Sequence, residues 1–410
     1  MKDRVILHVD CNSFFASVEQ VFRPELADVP MAVCGDPENR HGIILAKNEK
    51  AKAYGIVTAE TVWQAKRKCP SLVLVPPHME EYRRFSRRIN DIYADFTDMV
   101  EPFSLDESWL DVTGSQQLFG DGKTIADTIR RRIREEIGVT VSVGVSFNKV
   151  FAKLGSDYKK PDATTVFGRE EMELIVWKLP VTDLLFVGKS AAATLDRARI
   201  RTIGDLAHAD RELLVKLLGK LGDTLSDYAR GLDDSPVAKL GENREIKSVG
   251  NGMTFRRDLV SEEDIRSGLH GLCDSVAYRL RKSGLRGWTV QVTIKDADLK
   301  SITRQTTLPH STDLSAEIWQ TAIKLTLDNR PAAIRMLTVT VSGLTDKPDG
   351  EQISLFAEEE LPDLDRQRRL ENTLDSLRGR FGWDAVTPGA ALKNDIGVGG
   401  GASHGAEDGD

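Results

Sequence analysis

The stretch Ser104-Leu105-Asp106-Glu107-Ser108-Trp109-Leu110-Asp111-Val112 sets two adjacent carboxylates between two short apolar runs, Met99 to Phe103 and Trp109 to Val112. Apolar runs this close read as strands joined by a tight turn. Within a regular strand, neighbouring side chains point to opposite faces, so an Asp-Glu pair could not converge on one ligand. At a hairpin corner the alternation breaks and both carboxylates can converge. Two convergent carboxylates are the donors a hard divalent cation takes, with substrate phosphates completing the shell. An exposed acidic turn would look the same in isolation. A third carboxylate decides for metal chemistry: Asp10 closes the apolar run Val5-Ile6-Leu7-His8-Val9, another buried strand.

The elements around these residues bring the three together. After Asp10, Cys11-Asn12-Ser13 breaks the strand and starts a helix through Phe14, Phe15, Val18 and Val21. Residues 30 to 78 read as a small mixed unit, with strands at 31–34, 43–45 and 72–75 and helices at 48–54 and 61–68, ended by Pro76-Pro77. A long helix follows with Tyr82, Phe85, Ile89, Ile92 and Phe96 along one face. Beyond the hairpin, Thr124 and Asp127 form a capping box for a helix carrying Ile125, Ile129, Ile133 and Ile137, stopped by Gly138. Val139 to Phe147 then alternate apolar and small polar residues, a period-two strand. With residues 13–78 set aside as an insertion, the order strand, helix, strand, strand, helix, strand predicts the split β-α-β, ferredoxin-like unit. In that topology the first strand lies antiparallel beside the third, so Asp10 falls next to Asp106 and Glu107. Three carboxylates on such a sheet suit two metal ions about 3.5 to 4 Å apart, clamping the attacking and leaving oxygens of an in-line phosphoryl transfer.

The remainder reads as further domains, as 410 residues allow. Residues 169–231 are helical and 232–245 form a polar linker. Residues 246–345 give a second mixed domain of strands at 248–255, 288–296, 301–307 and 334–343, with helices at 262–282 and 313–328. The net charge of −7 is unusual for a protein that holds nucleic acid, but it resides in the tail. Residues 346–410 carry 15 acidic and 7 basic side chains, whereas residues 246–345 carry 14 basic and 10 acidic, a local excess compatible with phosphate contacts. Cys11, Cys34, Cys69 and Cys273 have no paired spacing, which excludes a zinc ribbon or a disulfide framework. No apolar run approaches a membrane span and no signal peptide opens the chain, so a cytoplasmic protein is expected. The Gly-rich end, 395–410, is expected to be disordered.

Val9-Asp10-Cys11-Asn12-Ser13-Phe14-Phe15-Ala16-Ser17-Val18-Glu19 and Ser104-Leu105-Asp106-Glu107 with Leu110-Asp111 closely resemble the signature segments of Y-family translesion DNA polymerases, in the bacterial polymerase IV branch. Ser142 to Ser146, Asn148-Lys149, Ala152-Lys153 and Lys159-Lys160-Pro161 extend the resemblance, which covers roughly residues 1–345. It implies an α+β right hand: a ferredoxin-like palm (1–12 and 79–168), small fingers (13–78), a helical thumb (169–231) and a separate mixed little finger (246–345) that grips DNA. It implies error-prone, template-directed synthesis past damaged bases, from dNTPs onto a primer 3′-hydroxyl with two Mg²⁺ ions, by a monomer. Asp10, Asp106 and Glu107, with the carbonyl of Cys11, would hold the metals. The triphosphate would take the amides of Ser13, Phe14 and Phe15 at a helix start, with Lys52 and Lys160. Phe15 would be the steric gate that excludes a 2′-hydroxyl.

Four positions depart from the family pattern. Glu49 and Lys52 stand where Tyr and Arg are usual, so Glu49 is expected to point away from the triphosphate and Lys52 to offer a point charge in place of a bidentate fork. Phe186-Val187-Gly188 keeps only the second glycine of a thumb turn that approaches DNA phosphate. Trp109 replaces a Tyr. Beyond the little finger, Gln352-Ile353-Ser354-Leu355-Phe356 resembles the peptides that tether such polymerases to the sliding clamp, with Gln352, Leu355 and Phe356 as anchors, and the leucines of 364–377 suggest a following helix within 346–394. Competing readings are a polymerase V-like catalytic subunit that needs accessory proteins, a catalytically silent DNA-binding relative, and a nucleotide cyclase, which would not need residues 169–345.

Overall fold

The computed structural model describes residues 3–35, 42–242, 245–346, 364–386 and 395–398. The chain forms two compact units, one of Met1–Glu38 with Gly42–Glu242 and one built from Asn243 onward. The first unit opens with β1 (Ile6–Cys11) and α1 (Phe14–Phe22), then β2 (Met31–Cys34), β3 (Ile44–Lys47), α2 (Glu49–Ala53), α3 (Val62–Lys68) and β4 (Val73–Val75). It continues through α4 (Met79–Ala94), β5 (Val100–Pro102), β6 (Glu107–Asp111), α5 (Gln116–Phe119), α6 (Gly122–Arg132), β7 (Val141–Ser146), α7 (Lys149–Tyr158) and β8 (Thr164–Phe167). Five short helices end it: α8 (Arg169–Leu174), α9 (Lys189–Arg197), α10 (Ile203–His208), α11 (Arg211–Leu218) and α12 (Lys220–Ala229).

The main sheet runs β5-β6-β1-β7-β8, with β1 antiparallel to both β6 and β7. This is the expected split β-α-β order with one added edge strand. Its first face is covered by α4, whose Tyr82, Phe85, Ile89 and Ile92 are buried, by α6 with Ile125 and Ile129, and by the π-helical turn Ile133–Ile137 that follows it, with Ile133 and Ile137 buried. Each such side chain contributes about 1.5–3 kcal/mol by leaving water. A separate three-stranded sheet, β3-β2-β4, carries α2 and α3, as the sequence suggested for residues 30–78.

One local reading needs correction. The cap of α6 is Asp121, whose carboxylate accepts from the Thr124 amide at 2.8 Å. Asp127 instead lies a turn inside the helix, where it accepts from Lys123 and Thr164. The alternation expected over Val139 to Phe147 is present in β7, and all six of its residues are buried. The second face is closed by α7, and the small polar residues are satisfied internally: Ser142 donates to Asn12 at 2.9 Å and Ser146 to the Phe167 carbonyl at 2.6 Å.

Gly144 makes that closure possible. A Cβ there would lie 1.9 Å from the Ala152 carbonyl oxygen and 2.5 Å from the Ser156 amide, both backbone atoms of α7. No rotamer change relieves a clash with backbone. Gly144→Ala is therefore expected to lift α7 from the sheet and lower stability by about 3 kcal/mol or more, at the upper end of overpacking costs. An unchanged denaturant midpoint would refute the close approach.

The second unit holds β9 (Ser248–Leu259), α13 (Glu262–Lys282), β10 (Arg286–Asp296), β11 (Ser301–Thr312), α14 (Ser315–Leu327), β12 (Ile334–Thr345) and α15 (Leu364–Phe381), with the sheet ordered β11-β10-β12-β9. Helices α13 and α14 pack their apolar stripes on it. Disorder was expected from residue 395, but Asp395–Val398 are placed against this unit. Ile396 is buried and accepts from the Arg256 amide at 3.1 Å, and Asp395 pairs with Arg257 at 2.7 Å, so an apolar anchor and an ion pair outweigh the local glycine content. Helix α15 docks through its polar side, with Arg378 paired to Asp274 at 2.7 Å and Arg281 to Asp375 at 2.7 Å. All four cysteines are free and buried. Among the described residues no helix is long and apolar enough to cross a membrane. Residues 352–356 lie outside the described residues.

Candidate active site

The register between β1 and β6 sets Asp10 directly opposite Glu107. Asp106 precedes Glu107 in the turn, and its carbonyl accepts from the Cys11 amide at 3.0 Å, which ties the turn to the end of β1. The three carboxylates foreseen as neighbours are thus at one corner of the sheet, but their side chains have separate partners. Asp10 accepts from Lys160 at 2.7 Å, Glu107 accepts from Lys153 through both oxygens at 3.0 and 2.9 Å, and Asp106 accepts from the Ser104 hydroxyl at 2.6 Å. Among the described residues no three His, Cys, Asp or Glu side chains stand together as a ready-made metal cage.

Burial is the largest influence on Asp10, and with the nearby Glu107 it outweighs Lys160 and pushes the carboxyl up to about 7. Asp106 is also raised, by burial first, with the Ser104 hydroxyl opposing. Burial works against the charge of Lys160, yet Asp10 and Asp157, the latter at 2.6 Å, hold its ammonium above the ordinary value. Three carboxylates, two of them raised chiefly by burial, thus face two lysines at this corner. Oxygen-only donors of this kind fit a hard divalent cation. The Cys11 thiol is buried and raised well above its usual range by desolvation, so only its carbonyl can serve as a ligand there.

Helix α1 begins beside these groups. Ser13 is its N-cap residue at φ 50°, in the left-handed region, and makes no side-chain cap. The first-turn amides of a helix have no helical acceptor and attract anions. The Phe14 side chain is buried in the core, so that residue offers the site only its amide. The Phe15 ring is partly buried and stacks on Tyr82, with centroids 4.2 Å apart and planes 11° from parallel. Tyr82 is itself fixed by its hydroxyl, which donates at 2.6 Å to the buried Glu19, also bound by His78 and Arg23.

Glu49 does not point away. Its carboxylate accepts from Lys52 at 2.6 Å and lies 3.4 Å from the Ser13 hydroxyl, so it faces the start of α1 and neutralises the lysine expected to meet phosphate. Their positions explain this: Asn48 caps α2, which puts Glu49 at its first residue with Lys52 three along on the same face. In the α9 region, Phe186 adopts φ 69°, the left-handed conformation suited to glycine. Trp109 is buried and donates to the Lys149 carbonyl at 3.0 Å, while the Lys149 ammonium lies 4.6 Å from its ring centroid.

Sequence reasoning quoted Lys153 only as part of a resemblance and gave no part to His8, Tyr82 or Ser156. The spacing of Lys149 and Lys153, four apart on one helical face, was the available signal. It says nothing of which strand that face meets.

A five-stranded ferredoxin-like sheet with carboxylates at one corner beside a helix start suits metal-assisted phosphoryl transfer. Comparisons with known proteins define the family. Residues 9–157 match the impB/mucB/samB family and residues 246–355 its C-terminal domain. DNA polymerase IV of Acetivibrio thermocellus is 49% identical over 395 residues, spanning 95% of this chain and 98% of that one. DNA polymerase IV of Moorella thermoacetica is 40% identical over 383 residues, 93% of this chain and 94% of that one. Among solved structures, a Y-family DNA polymerase chimera superimposes with a TM-score of 0.75 at 24% identity, covering 84% of this chain and 100% of that one, which establishes the fold. The chain belongs to the impB/mucB/samB family, the Y-family DNA polymerases, in the polymerase IV branch, and is by class a DNA-directed DNA polymerase.

Proposed function

We propose that this chain carries out error-prone, template-directed synthesis past damaged bases, transferring a nucleotidyl group from a dNTP to a primer 3′-hydroxyl with release of pyrophosphate. The observation that carries the reading is the pairing of Asp10 with Glu107 at the sheet corner, next to Asp106 and the start of α1. Asp10, Asp106, Glu107 and the Cys11 carbonyl would hold two Mg²⁺ ions. Bound there, such ions lower the cost of the negative charge that develops on the attacking and leaving oxygens. The amides of Ser13, Phe14 and Phe15 bind the triphosphate, with Lys160 close by on a side chain able to exchange Asp10 for a phosphate oxygen. Lys52 reaches a phosphate only by leaving Glu49. Phe15 supports the sugar and excludes a 2′-hydroxyl.

In this reading residues 1–12 and 79–168 are the palm, 13–78 the fingers, 169–231 the thumb, 232–245 the linker and 246–345 a little finger that holds primer-template DNA. The protein acts as a cytoplasmic monomer. Primer extension by the purified chain with Mg²⁺, on damaged and undamaged templates, tests it. Extension past a lesion is expected, and synthesis that appears only with added accessory proteins would favour a polymerase V-like subunit instead.

The clamp peptide Gln352, Leu355 and Phe356 adds a further expectation. Tethering raises the effective concentration of polymerase at the primer end. Leu355→Ala with Phe356→Ala should therefore spare distributive synthesis and remove stimulation by the sliding clamp. Equal stimulation of both proteins would show that the tether lies elsewhere.

A further inference from the structure

Lys153 occupies the very carboxylate on which the proposed metal chemistry depends. Its ammonium bridges both oxygens of Glu107, and the pair is largely buried, with side-chain exposures of 16% and 19%. The placement is built in from several sides. Gly144 lets the backbone of α7 press onto β7, and the Lys153 ammonium lies 5.5 Å from the Phe103 ring centroid. The hydroxyl of Ser156, one turn on, donates to the Lys153 carbonyl at 2.7 Å. That commitment leaves the Ser156 oxygen to accept from His8 Nδ1 at 2.8 Å, so the proton sits on Nδ1 and Nε2 is a bare lone pair. Nε2 has no hydrogen-bond partner and stands 3.9 Å from Glu107 Oε2. His8 is completely buried and packs edge-on against Trp109, so it is no cation for Glu107. Lys149, the other lysine of that helical face, is engaged by Glu101 at 2.6 Å. Among the described residues Lys153 is thus the cation that holds Glu107, as Lys160 is the one that holds Asp10.

We propose that Lys153 is a positioning residue that holds Glu107 as a resident counter-ion and competes with divalent cations for it, so that the polymerase without nucleotide binds metal weakly. The inference rests on the metal-site reading above. Its logic is charge balance. Lys153 and Lys160 together set two positive charges against the carboxylates of Asp10, Asp106 and Glu107. A divalent ion entering this set meets two ammonium groups already in place. Arrival of a triphosphate changes the balance, because its oxygens offer the lysines other partners and bring negative charge of their own. Lys153 thereby makes tight metal binding follow nucleotide binding.

The test is calorimetric titration of the full-length protein with Mn²⁺ at pH 8, without nucleotide or DNA. Lys153→Met keeps the length and apolar stem of the side chain and removes the charge. It is expected to bind Mn²⁺ at least about tenfold more tightly than the unaltered protein, because a unit charge at this range is strongly felt in a partly buried site. Lys153→Arg, which retains the charge, is expected to stay near the unaltered value. Unchanged or weaker binding by Lys153→Met would overturn the proposal, as would a Lys153→Arg variant that tightens equally, since shape rather than charge would then be at work. Glu107→Gln separates the two levels of inference. Loss of Mn²⁺ binding in that variant keeps the metal site at these carboxylates, whatever Lys153 does. Unaltered binding would place the ion elsewhere and overturn the metal-site reading and this proposal together.

Discussion

Asp106→Ala and Glu107→Ala are each expected to abolish nucleotide incorporation, by about 10³-fold or more, while primer-template DNA binds nearly as before. The magnitude follows from where the charge is needed. A group that stabilises charge only as it develops in the transition state lowers the rate when lost, without weakening ground-state binding to a comparable degree. The structure separates these variants from simple misfolding. Asp106 lies in the turn before β6, and its tie to the end of β1 runs through its backbone carbonyl, which alanine retains. Glu107→Ala loses the Lys153 contact, the approach of His8 Nε2 at 3.9 Å and the neighbouring charge beside Asp10, and removing one carboxylate from a crowded pair relieves repulsion. Folded, DNA-binding and inactive variants are the expected outcome. Single-turnover extension and fluorescence anisotropy on one primer-template measure the two properties side by side. Full extension by either variant would remove the carboxylates from the chemistry.

The adjacency of Asp10 and Glu107 was legible in the sequence because it is a property of topology. The periodicities of Tyr82 to Phe96, Ile125 to Ile137 and Val139 to Phe147 define the order of elements, and the split β-α-β order alone sets the first strand beside the third. What escaped depends on distances across the packed interior. The full burial of β7 follows from α7 lying on its second face, which Gly144 permits and no alternation pattern announces. Glu49 turned toward Ser13 because Asn48 is the cap of α2 and not its first residue, a capping detail that reverses the expected direction of a charge. The hold of Lys153 on Glu107 joins residues 46 apart in sequence, one on a helix and one on a strand whose relative height is set by a single glycine. Charged side chains near a site are thus the least readable part of it from sequence, because small shifts of backbone decide which partner they take.

Phe15→Ala is expected to raise incorporation of ribonucleotides relative to deoxyribonucleotides by about 100-fold, since an apolar wall alone discriminates a single added hydroxyl by roughly that factor. The ring is well placed to act as a wall. It stands at the second residue of α1, beside the amides proposed for the triphosphate, and lies flat on Tyr82. A wall discriminates only when it cannot yield. Tyr82 cannot retreat, because its hydroxyl is fastened to Glu19, and Glu19 is held in turn by Arg23 at 2.8 Å and His78 at 2.7 Å. The stack therefore transmits the rigidity of a buried polar cluster to the exposed face of Phe15. Truncation to alanine removes the wall and leaves the backing, so the space opened lies toward the sugar and the fold survives. The loss of one stacked, partly buried ring costs about 1–3 kcal/mol, within reach of a denaturant titration. The ratio of kcat/KM for a ribonucleoside and a deoxyribonucleoside triphosphate, measured opposite the same template base, reads the effect directly. A ratio unchanged from the unaltered protein, in a variant shown to be folded and active with deoxyribonucleotides, would return Phe15 to the hydrophobic core and move sugar discrimination to another residue.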